Sequence, residues 1–158
     1  MPARSPEEKP RVLVIDDDPV VVSVLRYGLE ARGIEVVSAP DGATGLRAVI
    51  ENLLDLDLLV TDLQMPGLDG VTVVRIIRSE GGERELAILV LATAASPHDR
   101  GVLAKLGVSG IVEKSAGSEQ IVRLAMALAR TARRERSEPW TSVAMSVPLA
   151  PIRLARSR

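Results

Sequence analysis

Five short apolar runs rich in Val, Ile, Leu and Ala punctuate this chain, and stretches of helical spacing separate them. No other feature constrains the fold as much. The first run, Val12-Leu13-Val14-Ile15, stops abruptly at Asp16-Asp17-Asp18-Pro19. An unbroken apolar run of that kind suits a strand buried on both faces, as in a parallel sheet. Beyond Pro19 the apolar positions shift to helical spacing, with Val21, Val24, Leu25, Gly28 and Leu29 on one face. Gly33 then offers a left-handed helix end at little cost.

The rhythm repeats. Strands are predicted over residues 34–37, 56–61, 86–92 and 110–113. A helix is predicted over 41–53, with Ala43, Leu46, Val49 and Ile50 turned inward, and another over 71–78. Ser96-Pro97-His98-Asp99 reads as a helix start, with a cap, a proline in the first turn and an acid three residues after the cap. Gly107 ends that helix. Ser118 caps the last one, whose stripe is Ile121, Leu124, Ala125 and Leu128. Five strands alternating with five helices imply right-handed βα units and a sheet covered on both faces. The expected fold class is α/β: a flavodoxin-like, doubly wound, five-stranded parallel sheet of order 2-1-3-4-5 with five helices. With one Trp, one Tyr and no Phe, its core has to be aliphatic.

Residues 1–10, with three prolines and mixed charge, are expected to be a flexible leader, and residues 11–130 the folded unit. Residues 131–158 are rich in Arg and Pro and are expected to be a disordered tail. A sharper reading makes this tail a docking peptide anchored by Trp140, Met145, Leu149 and Leu154. Its 28 residues are too few for an ordinary DNA-binding domain. The net charge of -1 gives no general attraction to nucleic acid or anionic membrane. No apolar run approaches the roughly 18 residues of a membrane span. The absence of cysteine excludes disulfides and thiolate metal sites. A soluble, cytoplasmic protein is expected.

In an open parallel sheet, ligands bind beyond the carboxyl ends of the strands. Strand one delivers Asp16, Asp17 and Asp18 there, strand three Asp62, and strand five Lys114. Crowded carboxylates repel unless a cation intervenes. Hard oxygen donors of this kind suit Mg²⁺, which favours phosphate as a co-ligand. A carboxylate in such a place can act as a nucleophile and form an acyl phosphate, while the lysine pairs with phosphoryl oxygens. Other polar residues have plainer readings. Asp41 and Asp69 read as turn or cap residues, and Asp18 as the cap of the first helix. His98, the only histidine, has no partner at metal-ligand spacing.

Val-Leu-Val-Ile-Asp-Asp-Asp-Pro (12–19), Val-Thr-Asp-Leu-Gln-Met-Pro-Gly-Leu-Asp-Gly (60–70) and Lys114 resemble the receiver domain of two-component response regulators, single-domain and CheY-like. The resemblance covers residues 11–130. It implies that Asp62 is the phosphoacceptor, charged by a sensor histidine kinase, a phosphotransfer protein or a small phosphodonor. It also implies that Asp17 and Asp62 bind Mg²⁺ directly, that Asp16 acts through water, and that the backbone carbonyl of Gln64 completes the protein ligands. Lys114 matches the lysine that contacts the phosphoryl group.

Three positions depart from the family pattern. The switch Thr/Ser falls on Ala92, the aromatic of strand five on Ile111, and the proline after the lysine on Ser115. Thr93 can substitute for the missing hydroxyl only if the strand end slips or bulges by one residue, because side chains alternate along a strand. A lost hydroxyl contact to a charged phosphoryl oxygen is worth roughly 1.5–3 kcal/mol.

The leading expectation is therefore phosphorelay signalling to a partner protein. The chain would not be an enzyme beyond its own phosphorylation and dephosphorylation, would not bind nucleic acid directly or insert in a membrane, and leaves a homodimer open. One alternative is a phosphorylation-independent pseudo-receiver acting as an interaction module, favoured by Ala92, Ile111 and Ser115. Another is a phosphatase of the haloacid dehalogenase type, from Asp16-x-Asp18, Thr93 and Lys114, which leaves the turn at 65–70 unexplained.

Overall fold

The computed structural model of the chain describes residues 5, 7–52, 56–80 and 86–137. Strands β1 (Arg11–Ile15), β2 (Glu35–Ala39), β3 (Leu58–Asp62), β4 (Ala87–Ala92) and β5 (Gly110–Glu113) form one sheet of order β2-β1-β3-β4-β5. Every pairing is parallel. Helices α1 (Pro19–Glu30), α2 (Gly42–Asn52), α3 (Gly70–Glu80), α4 (Pro97–Lys105) and α5 (Ser118–Ser137) cover both faces, and a 3-10 turn, Lys114–Ala116, joins β5 to α5. The fold class and strand order are those the alternation predicts.

The period of two along each strand splits the core. Leu13 and Ile15 of β1 join Leu59, Ile88, Val90 and Ala92 under α2, α3 and α4. Val12 and Val14 join Val60, Leu89 and Leu91 under α1 and α5. All eleven side chains are fully buried. No polar position interrupts residues 12–15 or 87–92, because neither face of those strands meets water. Helix ends follow the local signals. Asp18 accepts from the Val20 N–H and Ser96 from the Asp99 N–H. Gly33 (φ +78°) and Gly107 (φ +70°) take the left-handed turns that end α1 and α4. Asp41 and Asp69 cap α2 and α3 by accepting from the Thr44 and Thr72 amides.

The inward face of α2 is a correction. Ala43 and Ile50 face solvent, Gly45 and Val49 are turned to the sheet, and Gly42 sits against Leu68 and Val73. A Cβ built on Gly45 would lie 2.2 Å from the end of the Ile15 side chain. Gly45 lets the helix backbone settle close to the sheet and Gly42 lets it close on the β3–α3 loop, and this rotates the helix away from the apolar stripe that hydrophobicity alone selects. Val24 of α1 is likewise half exposed, while Leu25 and Leu29 carry the contact. Gly28 sits against Val122 of α5, with room for little more than a hydrogen.

The second correction concerns α5, which passes the boundary expected at residue 130 and continues to Ser137. Its last turns are held by charge. Arg136 donates to Asp57 Oδ1 at 2.8 Å and to the Leu56 carbonyl, and Arg133 lies 4.0 Å from the same carboxylate oxygen. Arg133 also donates to the Ser5 carbonyl, so this part of the leader lies against the helix. Asp57, fully buried, accepts from the Arg11 N–H at 2.8 Å, and its own N–H donates to the Arg11 carbonyl at 2.9 Å. Asp57 thereby displaces the start of β3 to Leu58, two residues beyond the expected start. The anchors Trp140, Met145, Leu149 and Leu154 lie outside the described residues. No helix among the described residues is long and apolar enough to cross a membrane.

Candidate functional site

Parallel pairing places the carboxyl ends of β1, β3 and β5 on one rim of the sheet. Asp16 follows Ile15 directly, Asp62 is the last residue of β3, and Lys114 follows Glu113 directly. Carboxylate oxygens of Asp16, Asp17 and Asp62 lie within 4.8 Å of one another. Lys114 Nζ sits 3.0 Å from Asp16 Oδ2 and 3.3 Å from Asp62 Oδ2. All four residues singled out in the sequence thus meet, from segments up to about a hundred residues apart.

The members differ in exposure. Asp16 and Asp62 are buried, whereas Asp17 is exposed at the mouth. Asp16 Oδ1 accepts from the Asp18 N–H at 2.9 Å. Its Oδ2 is buried and has only the charge of Lys114 beside it, with no directed hydrogen bond among the described residues. Asp62 Oδ1 accepts a long hydrogen bond from the Gln64 N–H, at 3.4 Å. Burial raises the pKa of Asp62 above the ordinary carboxylate value, and the neighbouring Asp16 charge raises it further, against the opposing pull of Lys114. Burial works to lower the Lys114 pKa, but its contacts with Asp16 and then Asp62 outweigh this and raise it. Lys114 is therefore firmly an ammonium.

Three carboxylates share one ammonium here, with a buried Asp16 oxygen left without a directed donor. A set of hard oxygen donors carrying this charge excess fits a small divalent cation such as Mg²⁺ better than a transition metal that prefers nitrogen or sulfur. The chemistry open to the site is nucleophilic attack by a carboxylate on an electrophile whose negative charge Lys114 and a cation offset.

The departing positions fall as their numbering implies. Ala92 ends β4, fully buried in the core beneath α3 and α4. Thr93 is the first residue past the strand and is exposed. It makes no hydrogen bond to the cluster among the described residues. Ile111 is partly buried against the same core, and Ser115 is exposed in the 3-10 turn. His98 is exposed in the first turn of α4, apart from the carboxylates. One contact escaped sequence reasoning: the side-chain amide of Gln64 donates to the Ala94 carbonyl at 3.2 Å, linking the β3–α3 and β4–α4 loops. Its only sequence signal is a long polar side chain two residues after a strand-end acid.

Residues 12–126 match the model of the response regulator receiver domain. The transcriptional regulatory protein PrrA of Mycobacterium tuberculosis is 35% identical over 143 residues, covering 90% of this chain and 58% of PrrA. The sensor protein GacS of Pseudomonas syringae is 30% identical over 146 residues, covering 90% of this chain and 16% of GacS. Among solved structures, the signal receiver domain of the putative response regulator NarL from Mycobacterium tuberculosis superimposes with a TM-score of 0.68 at 29% identity. That likeness covers 78% of this chain and 98% of the other. The chain thus spans just over half the length of PrrA, and nearly all of an isolated receiver.

Proposed function

The chain belongs to the response regulator receiver domain family, and from that premise we propose that it accepts a phosphoryl group on Asp62 and signals through the change. The convergence of Asp16, Asp17, Asp62 and Lys114 on one rim carries this reading.

An Asp62 carboxylate oxygen attacks the phosphorus of a phosphohistidine on a sensor kinase or phosphotransfer protein, or of a small acyl phosphate. The new bond is an O–P bond of an acyl phosphate. The donor's N–P or O–P bond breaks, and the leaving group takes the electron pair. Lys114, already between Asp16 and Asp62, moves its ammonium to a phosphoryl oxygen. Asp16 holds that ammonium in reach throughout. A Mg²⁺ ion would be held by Asp17, Asp62 and the Gln64 backbone carbonyl, with Asp16 acting through water, and supplies charge neutralisation of the transferring group. Attack by water on the acyl phosphate returns Asp62 and inorganic phosphate.

PrrA is described as transcriptional, but the receiver unit here is proposed to pass its signal to a protein rather than to bind nucleic acid itself. Its setting is the cytoplasm, where phosphohistidine donors arise. The phosphatase alternative loses its basis, since one receiver model spans residues 12–126. The pseudo-receiver alternative keeps its three departures: β4 ends in a methyl group, Ala92, where the family places a hydroxyl, and Ile111 and Ser115 stand at the aromatic and proline positions.

Acetyl phosphate with Mg²⁺ separates the two. The phosphoacceptor reading expects an acid-stable, base-labile adduct that Asp62→Ala abolishes. Absence of an adduct from both acetyl phosphate and a phosphorylated donor protein leaves the pseudo-receiver. Asp17→Ala should also lose Mg²⁺ affinity, and an unchanged affinity contradicts its assignment as a direct ligand.

A further inference from the structure

A hydroxyl at the end of β4 would be the direct link between a phosphoryl group on Asp62 and the loop that leads to α4. Here that position is Ala92, fully buried, and Thr93 is exposed beyond the strand. Gln64 touches both sides of the gap. Its N–H donates to Asp62 Oδ1 at 3.4 Å, and its side-chain amide donates to the Ala94 carbonyl at 3.2 Å. The surrounding structure makes such a link effective. Leu63 is buried, and its N–H donates to the Leu91 carbonyl at 2.7 Å, so the backbone just before Gln64 is anchored. An open groove lined by Gln64, Met65 and Asp69 runs along the β3–α3 loop and reaches Asp99 in the first turn of α4.

Helix α4 is also lightly held. Leu103 is its one fully buried side chain, and Arg100 ties it to Glu113, the residue before Lys114, through an exposed pair at 3.2 Å. A helix with so little apolar surface committed to the core can respond to small changes at its N-terminal loop.

We propose that Gln64 is a positioning residue that carries the phosphorylation state of Asp62 to the β4–α4 loop, through its hydrogen bond to the Ala94 carbonyl, in place of the missing hydroxyl at Ala92. Forming the acyl phosphate removes the negative charge of the carboxylate whose Oδ1 faces the Gln64 N–H. Any resulting shift of the Gln64 backbone moves its side-chain amide against Ala94. The inference rests on the phosphoacceptor reading of Asp62.

The test uses the full chain with Mg²⁺ and beryllofluoride, a stable stand-in for the phosphoryl group. Bound fluoride in the ¹⁹F spectrum reports the adduct, and ¹⁵N amide shifts of residues 93–100 report the loop. Loop responses are divided by the adduct fraction in the same sample. The parent should show a clear response at residues 94–96. Gln64→Ala, and Gln64→Glu whose carboxylate cannot donate, should lose more than half of it. Adding Ala92→Thr to Gln64→Ala should restore it, which a merely structural role for Gln64 would not produce. A full response per adduct in Gln64→Ala overturns the proposal. So does an adduct that forms in the parent and fails in both Gln64 variants, since Gln64 would then belong to the site itself. No bound fluoride in the parent refutes the phosphoacceptor reading, and the relay falls with it.

Discussion

Asp57 offers the sharpest quantitative test of how this chain is held together. Its side chain is fully buried at the amino end of the sheet, opposite the acidic rim, and meets Arg136 at 2.8 Å, Arg133 at 4.0 Å and the Arg11 N–H at 2.8 Å. Replacing it with alanine leaves Arg133, a nearly buried guanidinium, without its carboxylate, and removes the acceptor of the part-buried Arg11 N–H. Breaking a buried ion pair from one side costs about 3–5 kcal/mol. Arg136 keeps some exposure and can turn to water, so the expected loss for Asp57→Ala is at the lower end, about 3 kcal/mol. For a domain of this size roughly 4 °C of Tm accompanies each kcal/mol, so the melting temperature should fall by about 12 °C. Urea unfolding at neutral pH in chelator-treated buffer measures the loss, and amide exchange at residues 131–137 shows whether the last turns of α5 fray with it. Asp57→Asn, which keeps an acceptor for Arg11 but loses the charge, should fall between parent and alanine variant. A loss below about 1 kcal/mol in Asp57→Ala would refute the reasoning, because that is the worth of an exposed pair.

Three further outcomes follow from the site and its frame. Because the Asp62 pKa is raised in the fold, the folded chain holds that proton more tightly than the unfolded one, and stability is lost as pH rises from about 3.8 through the raised value. Asp62→Asn should therefore be more stable than the parent at pH 7 without metal, with an advantage that shrinks toward pH 3.8; thermal melts across that range check it. A Cβ on Gly70 would lie 2.4 Å from the Asp62 carbonyl oxygen, a backbone atom that cannot swing aside. Gly70→Ala should destabilise by about 1–3 kcal/mol and slow adduct formation, measured by urea unfolding and acetyl phosphate labelling. Ser96→Ala removes the acceptor for the Asp99 N–H at 3.0 Å and should cost about 1 kcal/mol in the same unfolding assay.

The elements and the acidic rim were legible because both depend on short-range pattern. Runs such as 12–15 and 86–92 admit no polar residue, so each predicts a strand buried on two faces. Once the strands are parallel, Asp16, Asp62 and Lys114 must share a rim, since each follows its strand at the carboxyl end. Caps at Asp18 and Ser96 and turns at Gly33 and Gly107 are local too, set by a few bonds within one turn.

What escaped that reading depends on partners far apart in the chain. The Asp57–Arg136 pair spans 79 residues, and Gln64 reaches Ala94 across 30. Residues 131–137 look like a charged tail on their own, and their helix is held where a buried carboxylate awaits two arginines. The inward face of α2 turned on whether Ile15 would press against Gly45, a matter of ångströms between surfaces rather than of hydrophobic period. Periodicity places side chains on faces; which faces touch, and which charges are neutralised on contact, is settled when the whole chain has packed.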